Sequence, residues 1–93
     1  MYTFGVAAGY NIEFETSAVK ALAKIQRSVR IKIATAIKAL AVDPRPHGCL
    51  KMSGRTDAYR IRVGRDYRVV YTVRDTVRVI RIEKIAHRRE VYR

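Results

Sequence analysis

The chain has 93 residues, of which 48% are hydrophobic, so it is long enough for one small domain and too apolar for a disordered protein. Its 20 Lys and Arg residues against 8 Asp and Glu residues give a formal net charge of +12, which is typical of a protein that acts on a polyanion or is neutralised by an acidic partner. The single cysteine excludes an internal disulfide and a multi-cysteine zinc site.

The first part of the chain divides at Tyr10. Residues 1–9 are small, apolar and uncharged, and we interpret them as a leader outside a single domain that covers residues 10–93. From Tyr10 to Glu15 apolar and polar side chains alternate, which predicts a half-buried strand. Thr16 and Ser17 then favour the start of a helix, because their hydroxyl groups can cap it.

Two amphipathic helices are predicted next. The first carries an apolar stripe, and a second begins at Ser28 with a stripe of its own. The sequence Asp43-Pro44-Arg45-Pro46 ends the second helix, since neither proline can continue it. The two stripes consist of Val19, Leu22, Ala23 and Ile25, and of Val29, Ile33, Ala36, Ile37 and Leu40.

The remainder of the chain predicts a loop and then three strands. Residues 47–57 contain two glycines and no periodicity, whereas residues 58–64, 66–74 and 76–86 are rich in β-branched and aromatic residues. The connections at Gly64-Arg65 and around Asp75 are short enough for hairpins. We therefore expect an α+β fold of order β-α-α-β-β-β, in which a helical hairpin packs on a mostly antiparallel four-stranded sheet.

The basic residues concentrate near the C-terminal strands. Of the 20 basic residues 14 are Arg, and residues 45–93 carry a net charge of +9 against +3 for residues 1–44. Strand alternation places Arg60 and Arg62 on one face, about 7 Å apart, and a hairpin could bring Arg68 beside them. Such a cluster repels itself unless an anion such as phosphate binds it.

The sequence ends in HRREVYR, where an aromatic residue stands among arginines. Tyr92 between basic residues is the combination that stacks on bases while the arginines bind the backbone. His87 is a candidate general base at neutral pH. Phosphate-binding loops, metal-binding motifs and a Gly-flanked serine nucleophile are absent from the sequence, so we expect chemistry without metal or cofactor, carried by Arg, Tyr and His.

In this order and spacing, the segments YRIRVG, DYRVVY and HRREVY resemble the RelE branch of the RelE/ParE superfamily of bacterial toxins. The resemblance covers about residues 10–93 and implies the toxin of a type II toxin–antitoxin system. RelE-like toxins enter the ribosomal A site and cut mRNA there, and the 2′-OH of the RNA attacks the adjacent phosphate. The resemblance thus implies a cytoplasmic, metal-independent endoribonuclease that inhibits translation.

Roles for individual residues also follow from the resemblance. Arg60 would lie along the RNA backbone, Arg62 near the 2′-OH, and Arg68 at the pentacovalent phosphate. Arg88 would lie next to the leaving oxygen, and Tyr92 would orient or stack the base. Additional substrate contacts are expected from Lys51, His87 and Arg89.

One departure from the family pattern affects the chemistry. The family often has Lys in the segment where this chain has Arg60 and Arg62, and a guanidinium with an intrinsic pKa above about 12 is a poor general base. We expect Arg62 to stabilise charge, while His87 or the ribosome accepts the proton.

A second hypothesis is a ParE-like inhibitor of DNA gyrase, which has the same fold but no need for a phosphate-binding cluster. Both hypotheses imply an acidic antitoxin that wraps the helical hairpin and covers the basic face. The toxin–antitoxin complex could then bind operator DNA through the antitoxin.

Overall fold

The computed structural model describes residues 2–4 and 9–91, and the side chains of residues 9–90. Within these described residues, six strands form one sheet of order β1-β2-β6-β5-β4-β3, and three helices complete the fold. The strands are β1 (Tyr2–Phe4), β2 (Asn11–Phe14), β3 (Leu50–Lys51), β4 (Ala58–Val63), β5 (Tyr67–Arg74) and β6 (Val79–His87). The helices are α1 (Thr16–Ala23), α2 (Arg27–Leu40) and α3 (Arg88–Val91).

The predicted order of one strand, two helices and three strands is confirmed. Strands β4, β5 and β6 form an antiparallel meander, and β2 pairs in parallel with β6. Two short strands extend the expected four-stranded sheet at its edges, β1 beside β2 and β3 beside β4. Strand β1 falls within residues 1–9, and β3 within the predicted loop. Neither segment has the alternating pattern of a longer strand.

Helix α1 begins at Thr16, so the prediction that Thr16 and Ser17 cap it is wrong. Glu15 is the N-cap residue, in an extended conformation and without a side-chain capping bond. Its backbone N–H donates to Ile82 O at 2.9 Å, which holds the chain on β6 up to the residue where the helix starts. Thr16 and Ser17 are exposed in the first turn, and Ala23 is exposed at the end of the helix.

Helix α2 supplies the main apolar contact to the sheet. Its N-cap is Gln26, so it begins one residue before the predicted Ser28. Ile33, Ile37 and Leu40 are buried, as their spacing of about one helical turn predicts. Each of these side chains stabilises the fold by about 1.5–3 kcal/mol through burial, so α2 anchors the helical layer on the core.

Strand β6 contains a β-bulge that its sequence pattern did not predict. Tyr71 pairs with Ile82 and Val70 pairs with Lys84, so Glu83 is the additional residue. The bulge explains why the buried side chains Ile82 and Ile85 are three residues apart instead of two. Side chains before and after the bulge therefore point to the same face of the sheet as their partners on β5.

The sheet face away from the helices is less open than strand alternation predicts. Arg68, Val70 and Thr72 lie on this face of β5, yet all three are buried. Strand β5 lies between β4 and β6, and Arg55 and Glu83 form a bidentate ion pair of 2.8 and 2.9 Å across it. Long side chains thus cover the central strand where no helix does.

A hydrogen-bonded network holds the loop after α2 against the β5–β6 turn. Arg45 donates to both carboxylate oxygens of Asp75 at 3.2 and 2.8 Å and to Tyr59 Oη at 3.0 Å. Tyr10 donates to Asp75 Oδ1 at 2.6 Å. These hydrogen bonds, from Arg45 first and Tyr10 second, lower the pKa of Asp75 to about 2. Buried Tyr71 donates to Pro44 O at 2.8 Å and fixes the same loop.

The β5–β6 connection is longer than predicted, because β6 begins at Val79 and not at Thr76. Arg78 adopts a positive φ of 54° at the end of this turn. The β4–β5 hairpin turns at Gly64, where a φ of 60° favours glycine. None of the helices among the described residues is long and apolar enough to cross a membrane.

Candidate active site

The hairpin of β4 and β5 brings three predicted site residues together on the sheet face away from the helices. Arg62 is the direct cross-strand partner of Arg68, and Arg60 lies two residues from Arg62 on β4. Cross-strand partners point to the same face, so the three guanidinium groups form one cluster. We call Arg60, Arg62 and Arg68 the arginine cluster.

Arg68 is the most buried member of the arginine cluster, with 8% of the residue exposed. Its Nη1 donates to Arg65 O at 3.2 Å and to Tyr67 O at 3.0 Å. These two bonds use the N–H groups of Nη1 and leave those on Nε and Nη2. Because both acceptors are backbone carbonyls in or beside the tight β4–β5 turn, the guanidinium is held in one orientation.

The carboxylates of the described ion pairs bind arginines other than Arg62 and Arg68. In the described part of the chain, the four ion pairs join Arg45 to Asp75, Arg55 to Glu83, Arg81 to Glu15 and Arg88 to Asp66. Arg62 and Arg68 take part in none of these pairs. Two adjacent cations with no carboxylate ligand, one of them buried, favour an anion from outside the chain.

A cavity of about 480 Å³ adjoins the arginine cluster at the edge of the sheet. We call it the side cavity. One wall carries the three arginines, and the others come from α2, the loop after it, β3 and β4. Those other lining residues are Ala36, Ala39, Pro46, His47, Gly48, Leu50 and Ile61. This wall could not be predicted from the sequence, because its residues are individually unremarkable and come from three separate segments.

Arg88 lies beside the turn that holds Arg68. Its backbone N–H donates to Asp66 O at 2.6 Å, and its Nε is 3.8 Å from Asp66 Oδ1. Asp66 follows Arg65, whose carbonyl accepts from Arg68. The start of α3 is thus attached to the same end of the β4–β5 hairpin as the arginine cluster.

The structure does not bring His87 to the arginine cluster. His87 pairs with Tyr67 and packs edge-on against its ring, with 5.7 Å between ring centroids, on the side of the sheet that faces α1. Its Nδ1 accepts from the backbone N–H of Arg89 at 3.3 Å. The histidine thereby stabilises the first turn of α3, and the side chain of Arg89 is exposed.

Lys51 also points away from the arginine cluster. It pairs with Tyr59, whose ring stacks on buried Tyr71 at 6.0 Å on the core side. Leu50, which pairs with Arg60, is the β3 residue on the arginine face. Tyr92 lies outside the described residues, so its predicted role stays a prediction.

A second cavity, of about 550 Å³, lies on the same sheet face near β2 and β6. It has both charges: Glu13, Glu15, Asp57 and Glu83 share its wall with Arg55, Arg74 and Arg81. Two of its arginines already pair with its carboxylates, so it lacks the excess positive charge of the side cavity. Within residues 2–4 and 9–91 no group of three or more His, Cys, Asp or Glu side chains is placed to hold a metal ion.

The chain matches a family model and several solved structures. The family model is described as the ParE toxin of type II toxin–antitoxin system, parDE, and matches residues 12–92. RelE of the Pyrococcus horikoshii OT3 RelE–RelB complex is 30% identical, with a TM-score of 0.75 over 88% of this chain and 98% of that one. The isolated E. coli RelE toxin is 28% identical, with a TM-score of 0.75 over 91% and 92%. No curated protein sequence matches significantly.

A third structure extends the range of organisms. The RelB–RelE complex of Methanococcus jannaschii matches at 25% identity and a TM-score of 0.70, over 86% of this chain and 94% of that chain. In each case almost the whole length of both proteins aligns. The chain therefore belongs to the RelE/ParE superfamily, the toxins of type II toxin–antitoxin systems, and has the fold of the RelE toxins.

Proposed function

We propose that this toxin is a ribosome-dependent endoribonuclease that cleaves mRNA in the A site and so inhibits translation in the cytoplasm. The observation that carries the proposal is the arginine cluster, in which buried Arg68 is oriented by two backbone carbonyls and faces Arg62 across the hairpin. A preorganised cation in a partly dry site stabilises developing negative charge strongly. Cleavage of a phosphodiester creates such charge on the phosphorane oxygens.

The proposed reaction uses the RNA as its own nucleophile. The 2′-oxygen attacks the adjacent phosphorus and loses its proton, the P–O5′ bond breaks, and the 5′-oxygen takes up a proton. The products are a 2′,3′-cyclic phosphate and a 5′-hydroxyl end. Arg60 binds the RNA backbone, Arg62 lies near the 2′-OH, and Arg68 stabilises the pentacovalent phosphate.

The remaining roles belong to the C-terminal segment. Arg88, which begins α3 beside the β4–β5 turn, stabilises the leaving oxygen, and Tyr92 orients the base. Arg62 stabilises charge in this proposal, and a group of the ribosome accepts the proton of the 2′-OH. His87 does not serve as the base in this proposal, because it faces α1 and caps α3.

The decisive experiment is primer extension on an mRNA incubated with the purified toxin, with and without translating ribosomes. We expect cuts within codons only when ribosomes are present. Intact mRNA in both reactions would overturn the proposal. Cuts without ribosomes would overturn the requirement for the ribosome but not the nuclease activity.

Inhibition of DNA gyrase is the second candidate, because the matching family model is that of the ParE toxins. A gyrase inhibitor binds a protein and cuts no RNA, so it has no use for a buried phosphate-binding arginine. A supercoiling assay run beside the primer extension separates the two functions. Blocked supercoiling together with intact mRNA would establish the gyrase alternative.

An acidic antitoxin is the proposed partner. The similar structures from Pyrococcus horikoshii and Methanococcus jannaschii are complexes with RelB, and the net charge of +12 favours an acidic protein. A segment that folds on binding can spread over the helical hairpin and the basic face together. The complex then binds operator DNA through the antitoxin.

A further inference from the structure

The side cavity combines two surfaces that phosphate alone does not need. Three guanidinium groups line one wall, whereas Ala36, Ala39 and Ile61 make an adjacent wall apolar. Inorganic phosphate would use the arginines and leave the apolar wall in contact with water. A ligand that carries an anionic group next to a flat apolar group would use both.

The size and edge of the side cavity fit one nucleotide. Its volume of about 480 Å³ lies within the range of small-ligand sites, about 300–1,000 Å³. His47 and Leu50 stand at its rim, where an imidazole ring and an apolar side chain can pack on the two sides of a base. Both residues are exposed, so a base can reach them from solvent.

The part of the side cavity that carries His47 and Leu50 is held in place by contacts within the protein. Arg45 and Tyr71 fix the loop that leads to His47, through Asp75 and through Pro44 O. On the other side Leu50 is held by strand pairing with Arg60. A preformed wall of this kind lowers the ordering cost of binding.

We propose that the side cavity binds one base of the substrate RNA, next to the phosphate held by the arginine cluster, and thereby selects the nucleotide at the cleavage site. His47 packs on the base, and Ala39 leaves the space that the base fills. The inference rests on the proposed nuclease function, which it deepens by naming the residues that read the substrate.

Binding of mononucleotides tests the cavity without requiring catalysis. Backbone amide shifts of the ¹⁵N-labelled toxin are followed on addition of inorganic phosphate, adenosine 3′-monophosphate or cytidine 3′-monophosphate. We expect phosphate to shift the amides around Arg62 and Arg68, and the nucleotides to shift Ala39 and Gly48 as well. Identical shifts for phosphate and nucleotides, or no shift at the apolar wall, would overturn the proposal.

A cavity-filling variant sharpens this test. Ala39→Leu keeps a good helix former and should weaken nucleotide binding about tenfold or more, as expected for loss of base stacking, with phosphate binding unchanged. Ala23→Leu, at an exposed position of α1 outside the cavity, is the matched control. Equal nucleotide affinity of the two variants would contradict the assignment.

Cleavage-site mapping then links the cavity to specificity. His47→Ala changes an exposed loop residue, so it provides a second variant if Ala39→Leu folds poorly. We expect His47→Ala to lower the total cleavage and to redistribute the remaining cut sites among codons. An unchanged distribution would refute the cavity's role in selection, whereas the wild-type primer extension alone decides whether the protein is a nuclease.

Discussion

Arg68 illustrates how a single residue combines a structural cost with a functional use. A buried guanidinium is unfavourable unless its N–H groups find acceptors, and in this protein two backbone carbonyls next to it in sequence supply them. Its cross-strand neighbour is another arginine, Arg62, which adds repulsion. A phosphate bound between the two guanidinium groups would relieve that repulsion, so we expect the protein to be more stable when phosphate is added.

Replacing Arg68 should slow cleavage strongly while the fold persists. We expect Arg68→Ala to lower the single-turnover rate at least about 100-fold, the usual effect of removing one preorganised donor to a developing oxyanion. Arg74→Ala, at an exposed position of the same strand, serves as the control and should retain the wild-type rate. The fold of the Arg68→Ala variant is checked by its thermal melt. If the folded variant cleaves RNA at the wild-type rate, the catalytic role of Arg68 is wrong.

Substitutions of Arg62 and His87 test which group acts as the general base, and we expect them to have different effects on cleavage. If Arg62 only stabilises charge, Arg62→Lys introduces a group that can lose its proton, so cleavage should rise and its pH profile should shift. His87→Ala should leave the cleavage rate unchanged, because His87 faces α1. A large loss of rate in a folded His87→Ala variant would show that this assignment is wrong.

The lowered pKa of Asp75 predicts that the stability of the fold depends on pH. Its pKa is about 2 in the folded protein against an ordinary value of 3.8, because Arg45 and Tyr10 donate to the carboxylate. The ionised form is therefore favoured by folding, and its stabilisation is complete above about pH 4 and is lost as the pH falls toward 2. Asp75→Asn should reduce the slope of melting temperature against pH in this window, and equal slopes would contradict the network's contribution.

At the scale of elements, two single-residue deletions in β6 show how the bulge sets which face of the sheet each side chain occupies. Deletion of Glu83 restores a regular ladder in which Lys84 still pairs with Val70. Deletion of Arg81 instead moves Glu83 into the core position of Ile82. The first change removes only an ion pair worth up to about 1 kcal/mol, whereas the second costs about 2–5 kcal/mol in lost burial alone.

We therefore expect the Glu83 deletion to fold and the Arg81 deletion to be largely unfolded. Urea unfolding followed by circular dichroism measures both. Equal stability of the two deletions would mean that β6 changes its register more easily than the paired strands indicate.

The elements with strong periodicity could be predicted from the sequence. The stripe of α2 and the alternation of β4 depend on local spacing, so their buried faces and the arginine cluster followed directly. The start of α1 could not be predicted, because Glu15 is held by a hydrogen bond to distant Ile82. The face of the sheet on which His87 lies also depends on its pairing with Tyr67. No local pattern in the C-terminal segment reveals that pairing.

At the scale of the whole molecule, the net charge of +12 should make antitoxin binding depend on salt. Isothermal titration of the toxin with the product of the neighbouring gene, the candidate antitoxin, should give tight binding that weakens as NaCl is raised from about 50 to about 500 mM. Absence of binding at low salt would exclude that protein as the antitoxin. An affinity that does not change with salt would mean that apolar contacts with the helical hairpin supply most of the binding free energy.

The strand order also has a consequence for how the toxin is made. Strand β2 is synthesised well before its partner β6, and the bond from Tyr10 to Asp75 spans 65 residues. The sheet therefore cannot close while the nascent chain is being translated through its middle. Any activity that needs the closed sheet, including the proposed cleavage of ribosome-bound mRNA, can therefore begin only after β6 has been synthesised.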